Sequence, residues 1–240
     1  MAPADRYLKA WDGFWEQSSG AEGEAFWDAG SALTAERDIR LLEPYADPRL
    51  PIADLGCGNG TQTRFLATRF AAAVGVDLSA AAVAHARRAD PAQAAAYEQL
   101  DLTDGRAAHA LHARLGDAHV YLRAVLHQSD PEDRPAVAAS VAAVLGDTGR
   151  ALVLEPTDGA EAVLHTIGPT PKLLRVREHD LRPGRVADGE VAELLRGAGL
   201  RILEQGATTL TMSEVRADGT PVGLPGRWFV AAKSEGRERV

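Results

Sequence analysis

The sequence predicts an α/β protein built on a doubly wound, mostly parallel sheet of seven strands. Two observations carry that expectation. Short apolar runs alternate with Ala-rich helical runs between residues 51 and 154, and strands that alternate with helices imply right-handed crossovers and a parallel sheet. Two more strand-like runs, Leu200-Arg201-Ile202-Leu203 and Gly226-Arg227-Trp228-Phe229-Val230-Ala231, close the chain as a hairpin and add an antiparallel edge.

The elements follow in order. Residues 1–45 are helical and aromatic and read as an amino-terminal cap, with Tyr7, Trp11 and Trp15 four apart on one helical face. Residues 46–240 read as the main domain. Pro51-Ile52-Ala53-Asp54-Leu55 is a brief apolar run stopped by glycine, the first strand, and Thr61 to Phe70 carries Phe65, Leu66 and Phe70 at helical spacing. Ala72-Ala73-Val74-Gly75-Val76-Asp77 is the second strand, and Ser79 opens the next helix as an N-cap. Residues 95–100, 118–122 and 151–154 supply three more strands, separated by helices that include Val137, Val141, Val144 and Leu145 on one stripe. A last helix runs from Gly189 to Arg196. Residues 157–187 break the rhythm. They are rich in glycine, proline and charge, including Gly168-Pro169-Thr170-Pro171 and Arg182-Pro183-Gly184, and suit a lid or substrate insertion.

Composition narrows the function. The 240 residues are 45% hydrophobic, enough apolar content to bury a core that offsets chain entropy. No window reaches ~20 uninterrupted apolar residues, so no membrane partner is expected. The start, Met1-Ala2-Pro3-Ala4-Asp5-Arg6, lacks a cationic-then-apolar signal pattern, which points to the cytoplasm. A net charge of −8 argues against a nucleic-acid partner. Cys57 is the single cysteine, so no intrachain disulfide is possible. His109 and His112 lack a third ligand, and no metal is expected.

The chemistry concentrates at the carboxyl ends of the strands. Asp54-Leu55-Gly56-Cys57-Gly58-Asn59-Gly60-Thr61 joins the first strand to the first helix, with three alternate glycines that allow a sharp turn and a close approach to a ligand. The helix starting at Thr61 adds free N–H groups and a positive dipole end. Asp77 ends the second strand, where an acid can accept both hydroxyls of a ribose, and Asp101 ends the third. The nicotinamide fingerprint wants a small residue three after its second glycine, a place held here by Thr61, and the Gly-Lys-Ser/Thr of a P-loop is absent.

The spacing Asp-x-Gly-x-Gly-x-Gly instead resembles the first motif of the class I S-adenosylmethionine-dependent methyltransferases. Val74-Gly75-Val76-Asp77-Leu78-Ser79 looks like that family's ribose motif, Gln99-Leu100-Asp101-Leu102 like its adenine-contacting turn, and Leu145-Gly146-Asp147-Thr148-Gly149-Arg150 like the turn before its fifth strand. The resemblance covers roughly residues 37–235 and implies the family's Rossmann-like methyltransferase fold, with S-adenosylmethionine as cofactor. It implies that Gly56, Gly58 and Gly60 pass the aminocarboxypropyl arm and ribose and that Asp77 holds the ribose hydroxyls. Asp101 would accept the adenine amino group, with Leu102 at the ring edge and Leu78 on its face. Thr61 and Gln62 would sit near the methionine carboxylate, and Asp54 and Cys57 complete the cofactor-binding set.

After the fourth strand, where the family places its reaction centre, the chain reads Leu122-Arg123-Ala124-Val125-Leu126-His127-Gln128. The Asn/Asp-Pro-Pro-Tyr motif of nucleic-acid and glutamine methylases is missing, and the run resembles the small-molecule branch. His127 is the general-base candidate, since a neutral imidazole can take a proton near pH 7; a packing or cofactor-neighbour role is the alternative. Arg123 would bind an anionic substrate group or pair with the cofactor carboxylate. Trp11 and Trp15 would face substrate or sulfonium, and His165, Lys172, Arg175 and Arg177 offer positive charge to an acidic acceptor. The expected activity is methyl transfer to an O, N or S atom of a small molecule, as in bacterial secondary metabolism, by a monomer or homodimer. The alternatives are a fold that uses the bound cofactor structurally, as in a cyclisation, and a non-catalytic cofactor-binding partner subunit.

Overall fold

The computed structural model describes residues 3–181, 184–187 and 189–234; the Arg182-Pro183 step lies outside them. A seven-stranded sheet has the order β3-β2-β1-β4-β5-β7-β6, formed by β1 (Ile52–Leu55), β2 (Ala73–Asp77), β3 (Ala96–Gln99), β4 (His119–Arg123), β5 (Ala151–Pro156), β6 (Leu200–Val215) and β7 (Pro221–Lys233). The first five strands run parallel, and β7 inserts antiparallel between β5 and β6. The expected doubly wound, mostly parallel sheet with an antiparallel carboxyl-terminal hairpin is therefore the observed fold. The chain leaves β1 toward β2 on one side and returns to β4 on the other, which opens a crevice at the carboxyl ends of β1 and β4.

Both faces of the sheet are covered, so the central strands are buried nearly along their whole length instead of alternating. Val120 and Leu122 of β4 point into the core beneath α5 (Gly105–Leu115), α6 (Arg134–Leu145) and α9 (Glu190–Gly197). Tyr121, between them, points to the opposite core with Ile39 and Leu42 of α2 (Ala35–Leu42) and Leu66 of α3 (Thr61–Leu66). Helix α4 (Ala80–Ala89) is started by Ser79, whose hydroxyl accepts the Ala82 amide at 3.2 Å.

Two segments differ from the sequence expectation. Residues 157–187 contain two helices, α7 (Gly159–Ile167) and α8 (Pro171–Glu178). The Gly168-Pro169-Thr170-Pro171 step separates them. Gly168 takes a positive φ of 69° after α7, Pro171 sits in the first turn of α8, and Thr170 caps that helix by accepting the Leu173 amide. The final hairpin is also much longer than its two apolar runs. Beyond β5 it continues through Thr209-Leu210-Thr211-Met212, whose alternation buries Leu210 and Met212, and turns at Asp218, whose carboxylate accepts the Thr220 amide and hydroxyl at 2.9 and 2.6 Å. Helix α3 stops at Leu66, short of Phe70.

Helix α1 (Pro3–Glu16) lies over the carboxyl end of β2. The Ser79 hydroxyl donates to Asp12 at 2.6 Å, and the His85 ring bonds the Trp15 carbonyl at 2.8 Å. Residues 17–34 thread from there toward the hairpin, where the Ser213 amide donates to the Phe26 carbonyl at 2.9 Å.

Candidate active site

The glycine loop turns under β2. The Gly56 and Cys57 amides both donate to the Val76 carbonyl, at 2.8 and 3.0 Å. Gly56 and Gly60 have φ of 82° and 76°, and a Cβ would lie 2.5 Å from Val125 at the first and 2.8 Å from the Tyr97 ring at the second. Positive φ and lack of room together demand glycine there. Gly60 thus serves the packing of the loop on Tyr97 and does not face the pocket. The Gly58 amide donates to Asp77 at 2.9 Å, and the other Asp77 oxygen accepts the Ser79 amide at 2.9 Å. Burial pushes Asp77 up to about 6, with Asp12 adding to the rise and the two amides opposing it. Asp101 accepts the Thr103 amide and hydroxyl at 2.8 and 2.7 Å.

These groups open onto one cavity of about 560 Å³. Of the residues singled out from the sequence, Gly56, Gly58, Asp77, Leu78, Asp101, Leu102, Arg123, His127, Trp11, Trp15 and His165 line it. Tyr7 and Arg177 line it as well, and the remaining cofactor candidates stand behind the loop. Asp54 is buried and accepts the Thr63 hydroxyl at 2.6 Å, and burial raises its pKa to about 7. Cys57 packs with Val83, Ala86 and Tyr97. Thr61 is bonded through its hydroxyl to Asn59 at 2.9 Å. Gln62 is turned away from the pocket: its carbonyl accepts from the Thr34 hydroxyl at 2.5 Å, and its NH2 donates to the Ala29 carbonyl at 2.9 Å.

Arg123 also departs from expectation. It borders the cavity, yet its guanidinium donates to the Thr211 carbonyl at 2.9 Å and the Trp27 carbonyl at 3.4 Å, and its Nε lies 3.5 Å from Asp38. Asp38 additionally accepts the Tyr121 hydroxyl at 2.7 Å. This nearly buried ion pair ties α2, the cap and the hairpin to β4, leaving the guanidinium committed to protein partners instead of an anionic ligand.

Past Arg123 the chain bends sharply. Ala124 has φ of 59°, a left-handed conformation costing an L side chain ~1–2 kcal/mol. The bend turns the Val125, Leu126 and His127 amides onto Glu155, at 2.8, 2.7 and 3.2 Å. Glu155 also receives the His127 ring, Nδ1 to Oε2 at 2.8 Å, and is 1% exposed. The carboxylate accepts from all four groups, so Nδ1 carries the ring proton and Nε2 keeps a lone pair, bonded by the Gln128 NH2 at 2.8 Å. Sequence reasoning missed Glu155: at the end of β5 it reads as one more strand-terminal acid, and only the neighbouring strand's His127 gives it a partner.

The roof is aromatic. Tyr7, Trp11, Trp15, Phe26 and Trp27 all line the cavity. Trp11 meets Trp27 edge to face at 5.3 Å, and Tyr7 meets Trp11 likewise at 6.2 Å. The Trp15 ring lies over Gly58, where a Cβ would approach it to 3.0 Å. Leu210, Met212 and Leu224 of the lengthened hairpin and Leu164, Leu173 and Val176 of α7 and α8 complete apolar walls.

Comparison with known proteins points to the same family. A family described as a methyltransferase domain matches residues 52–149, the span that holds the glycine loop, Asp77, Asp101 and His127. That match supports a class I S-adenosylmethionine-dependent methyltransferase. The chain is similar to a solved SAM-dependent methyltransferase from Anabaena variabilis, with 29% identity, coverage of 97% of this chain and 96% of that one, and a TM-score of 0.85. The fold is shared with a SAM-dependent methyltransferase from Methanosarcina mazei (16% identity, 81% and 97% coverage, TM-score 0.59). It is also shared with the magnesium protoporphyrin IX methyltransferase of Synechocystis, solved with bound S-adenosylhomocysteine (20% identity, 83% and 81% coverage, TM-score 0.55). No curated protein matches the chain. The cavity fits the family's cofactor in its chemistry: two strand-end carboxylates face it as acceptors for hydroxyl and amino groups, and aromatic faces stand where a sulfonium cation gains ~0.5–2 kcal/mol. No helix of the described residues is long and apolar enough to cross a membrane.

Proposed function

We propose that this methyltransferase moves the methyl of S-adenosylmethionine to an O, N or S nucleophile of a small molecule in the tailoring of a bacterial secondary metabolite. One observation carries the reading. A single cavity joins the acids Asp77 and Asp101 at one end to the His127–Glu155 pair and apolar walls at the other. Its sides, made by α1, α7, α8 and the hairpin, suit a compact guest.

In this reading Asp77 holds the ribose hydroxyls, Asp101 faces the adenine amino group, and Leu78 and Leu102 flank the base. The backbone at Gly56 and Gly58 borders the amino-acid arm. S-adenosylmethionine, when bound, supplies a methyl group activated by its sulfonium. Tyr7, Trp11 and Trp15 offer π-faces to that cation and exclude water. His127 takes the acceptor proton at Nε2 once the acceptor displaces the Gln128 amide from it, while Glu155 holds the imidazole in the tautomer that keeps the lone pair on this nitrogen and stabilises the imidazolium formed. Trp11, Trp15, His127 and His165 contact the acceptor. Orienting two reactants within one pocket can supply ~7–11 kcal/mol of the barrier, so the proton acceptor is an aid and not the whole of catalysis.

Incubation with methyl-labelled S-adenosylmethionine and a fractionated bacterial metabolite extract tests the proposal. Label appearing in a small molecule, together with stoichiometric S-adenosylhomocysteine, is the expected result. A protein that binds the cofactor but never transfers label would overturn it in favour of a structural use of the bound cofactor.

A further inference from the structure

The segment that folds over the acceptor end carries six basic side chains among its described residues; His179 packs edge to face on the Phe14 ring, and the structure divides the other five into two kinds. Three are already satisfied by the protein. The Lys172 ammonium donates to the carbonyl and hydroxyl of Ser213 at 3.0 and 2.9 Å. Arg175 donates to Glu24 at 2.6 Å and to the Ser18 hydroxyl at 2.8 Å, and its guanidinium stands 5.1 Å over the Phe14 ring. Arg185 pairs with Glu161 and lies in the field of Asp158, so it neutralises the acids of the same rim. The remaining two, His165 and Arg177, line the cavity and have no partner among the described residues.

Their placement follows helical geometry. On α8, Leu173, Val176 and Arg177 are spaced i, i+3, i+4 and share the face turned to the cavity; on α7, the i, i+4 pairs Ala160/Leu164 and Glu161/His165 border it, with Glu161 engaged by Arg185. Each helix therefore presents an apolar side chain to the interior and a cationic or hydrogen-bonding one beside it. The walls opposite, Leu210, Met212 and Leu224, are apolar, and of the other two arginines on the cavity Arg123 is held by Asp38 and Arg185 by Glu161. A ligand that fills this end must be apolar along its body, and it meets an uncommitted guanidinium at one edge.

We infer that the acceptor is a largely apolar small molecule with a carboxylate, and that Arg177 is the residue that selects the carboxylate, with His165 beside it. A planar guanidinium matches a carboxylate with two parallel N–H···O bonds. Anchoring the acid at this rim leaves the nucleophilic end of the molecule to enter between the apolar walls toward His127. The inference rests on the reading of this cavity as a methyl-acceptor site.

Binding of matched acid and amide pairs separates the two claims. The probes are 3-phenylpropanoate and indole-3-acetate with their primary amides, titrated by calorimetry into the full chain with and without S-adenosylhomocysteine. The expected result is at least about tenfold tighter binding of each acid than of its amide. Arg177→Gln should reduce that ratio to within about twofold while S-adenosylhomocysteine affinity stays unchanged, which also certifies the variant's fold; Arg177→Lys should keep part of the preference. Acids that bind no better than amides, including the case in which neither binds, overturn the inference, as does a preference that survives Arg177→Gln. Failure of S-adenosylhomocysteine to bind strikes the cofactor reading instead, and the acid–amide comparison without it still reads the anion site.

Discussion

His127 Nδ1 lies 2.8 Å from Glu155 Oε2, across two neighbouring parallel strands, and the same carboxylate gathers the three amides of the loop that carries the histidine. One buried acid thus sets both the backbone path and the ring tautomer. His127→Ala is expected to lower kcat by ~10²–10⁴-fold while leaving S-adenosylmethionine affinity nearly intact. Glu155→Gln keeps the shape but brings an NH2 against a ring or amide donor. It should lower kcat and displace the acidic limb of the kcat–pH profile, a readout that a merely structural role would not move. Wild-type turnover in His127→Ala removes the histidine from the chemistry.

Asp77 predicts how cofactor binding responds to acid. Burial holds it at about 6 before ligand binds, and a ribose diol beside a sulfonium favours the ionised form. Affinity for S-adenosylmethionine should therefore be constant above pH 7 and weaken below pH 6, approaching about tenfold per unit. Calorimetry near pH 6 in buffers of different ionisation heat should register proton release on binding. Asp77→Ala should cost ~1–3 kcal/mol of binding and abolish this pH dependence.

Asp54 makes the opposite kind of statement, about folding. Burial raises its pKa from an ordinary value of 3.8 to about 7, so the folded chain holds this proton more tightly than the unfolded one. Its contribution to stability is complete below pH 4 and is lost as the pH rises through 7. Melting temperature should fall between pH 5 and pH 8 in the wild type, and less steeply in Asp54→Asn. Parallel curves for the two proteins would contradict the assignment.

Arg123 predicts a large loss of stability that has nothing to do with binding an anion. Arg123→Met strands Asp38 in the interior, and removing one partner of a buried pair costs ~3–5 kcal/mol. Adding Asp38→Asn removes the orphaned charge and should recover part of the loss. Urea unfolding of the single and double variants measures both steps.

The sheet, and the glycine loop and strand-end acids that border the cavity, were legible in the sequence because their signals are local. An apolar run ending in alternate glycines, and acids closing the second and third strands, need no tertiary information to be located. The rest of the site was not, because its defining relations are between residues far apart in sequence. Nothing near Glu155 announces His127, nothing near Arg123 announces Asp38, and Gln62 reaches back to Thr34 only once the cap is folded. The two helices after β5 are an intermediate case. Thr170 and Pro171 are ordinary start signals, but they were masked by a glycine- and proline-rich context that reads as loop. The lengthened hairpin hid for another reason: its threonine-rich outer strand buries only every second residue, so no continuous apolar run marks it.

The indole rings above the pocket make the protein its own optical gauge. Three of the four tryptophans in the chain, Trp11, Trp15 and Trp27, border the cavity, and the fourth, Trp228, is packed under the hairpin. Emission from this protein is dominated by side chains that any guest must brush against, so occupancy of the cavity is readable in unlabelled material as a change in tryptophan fluorescence.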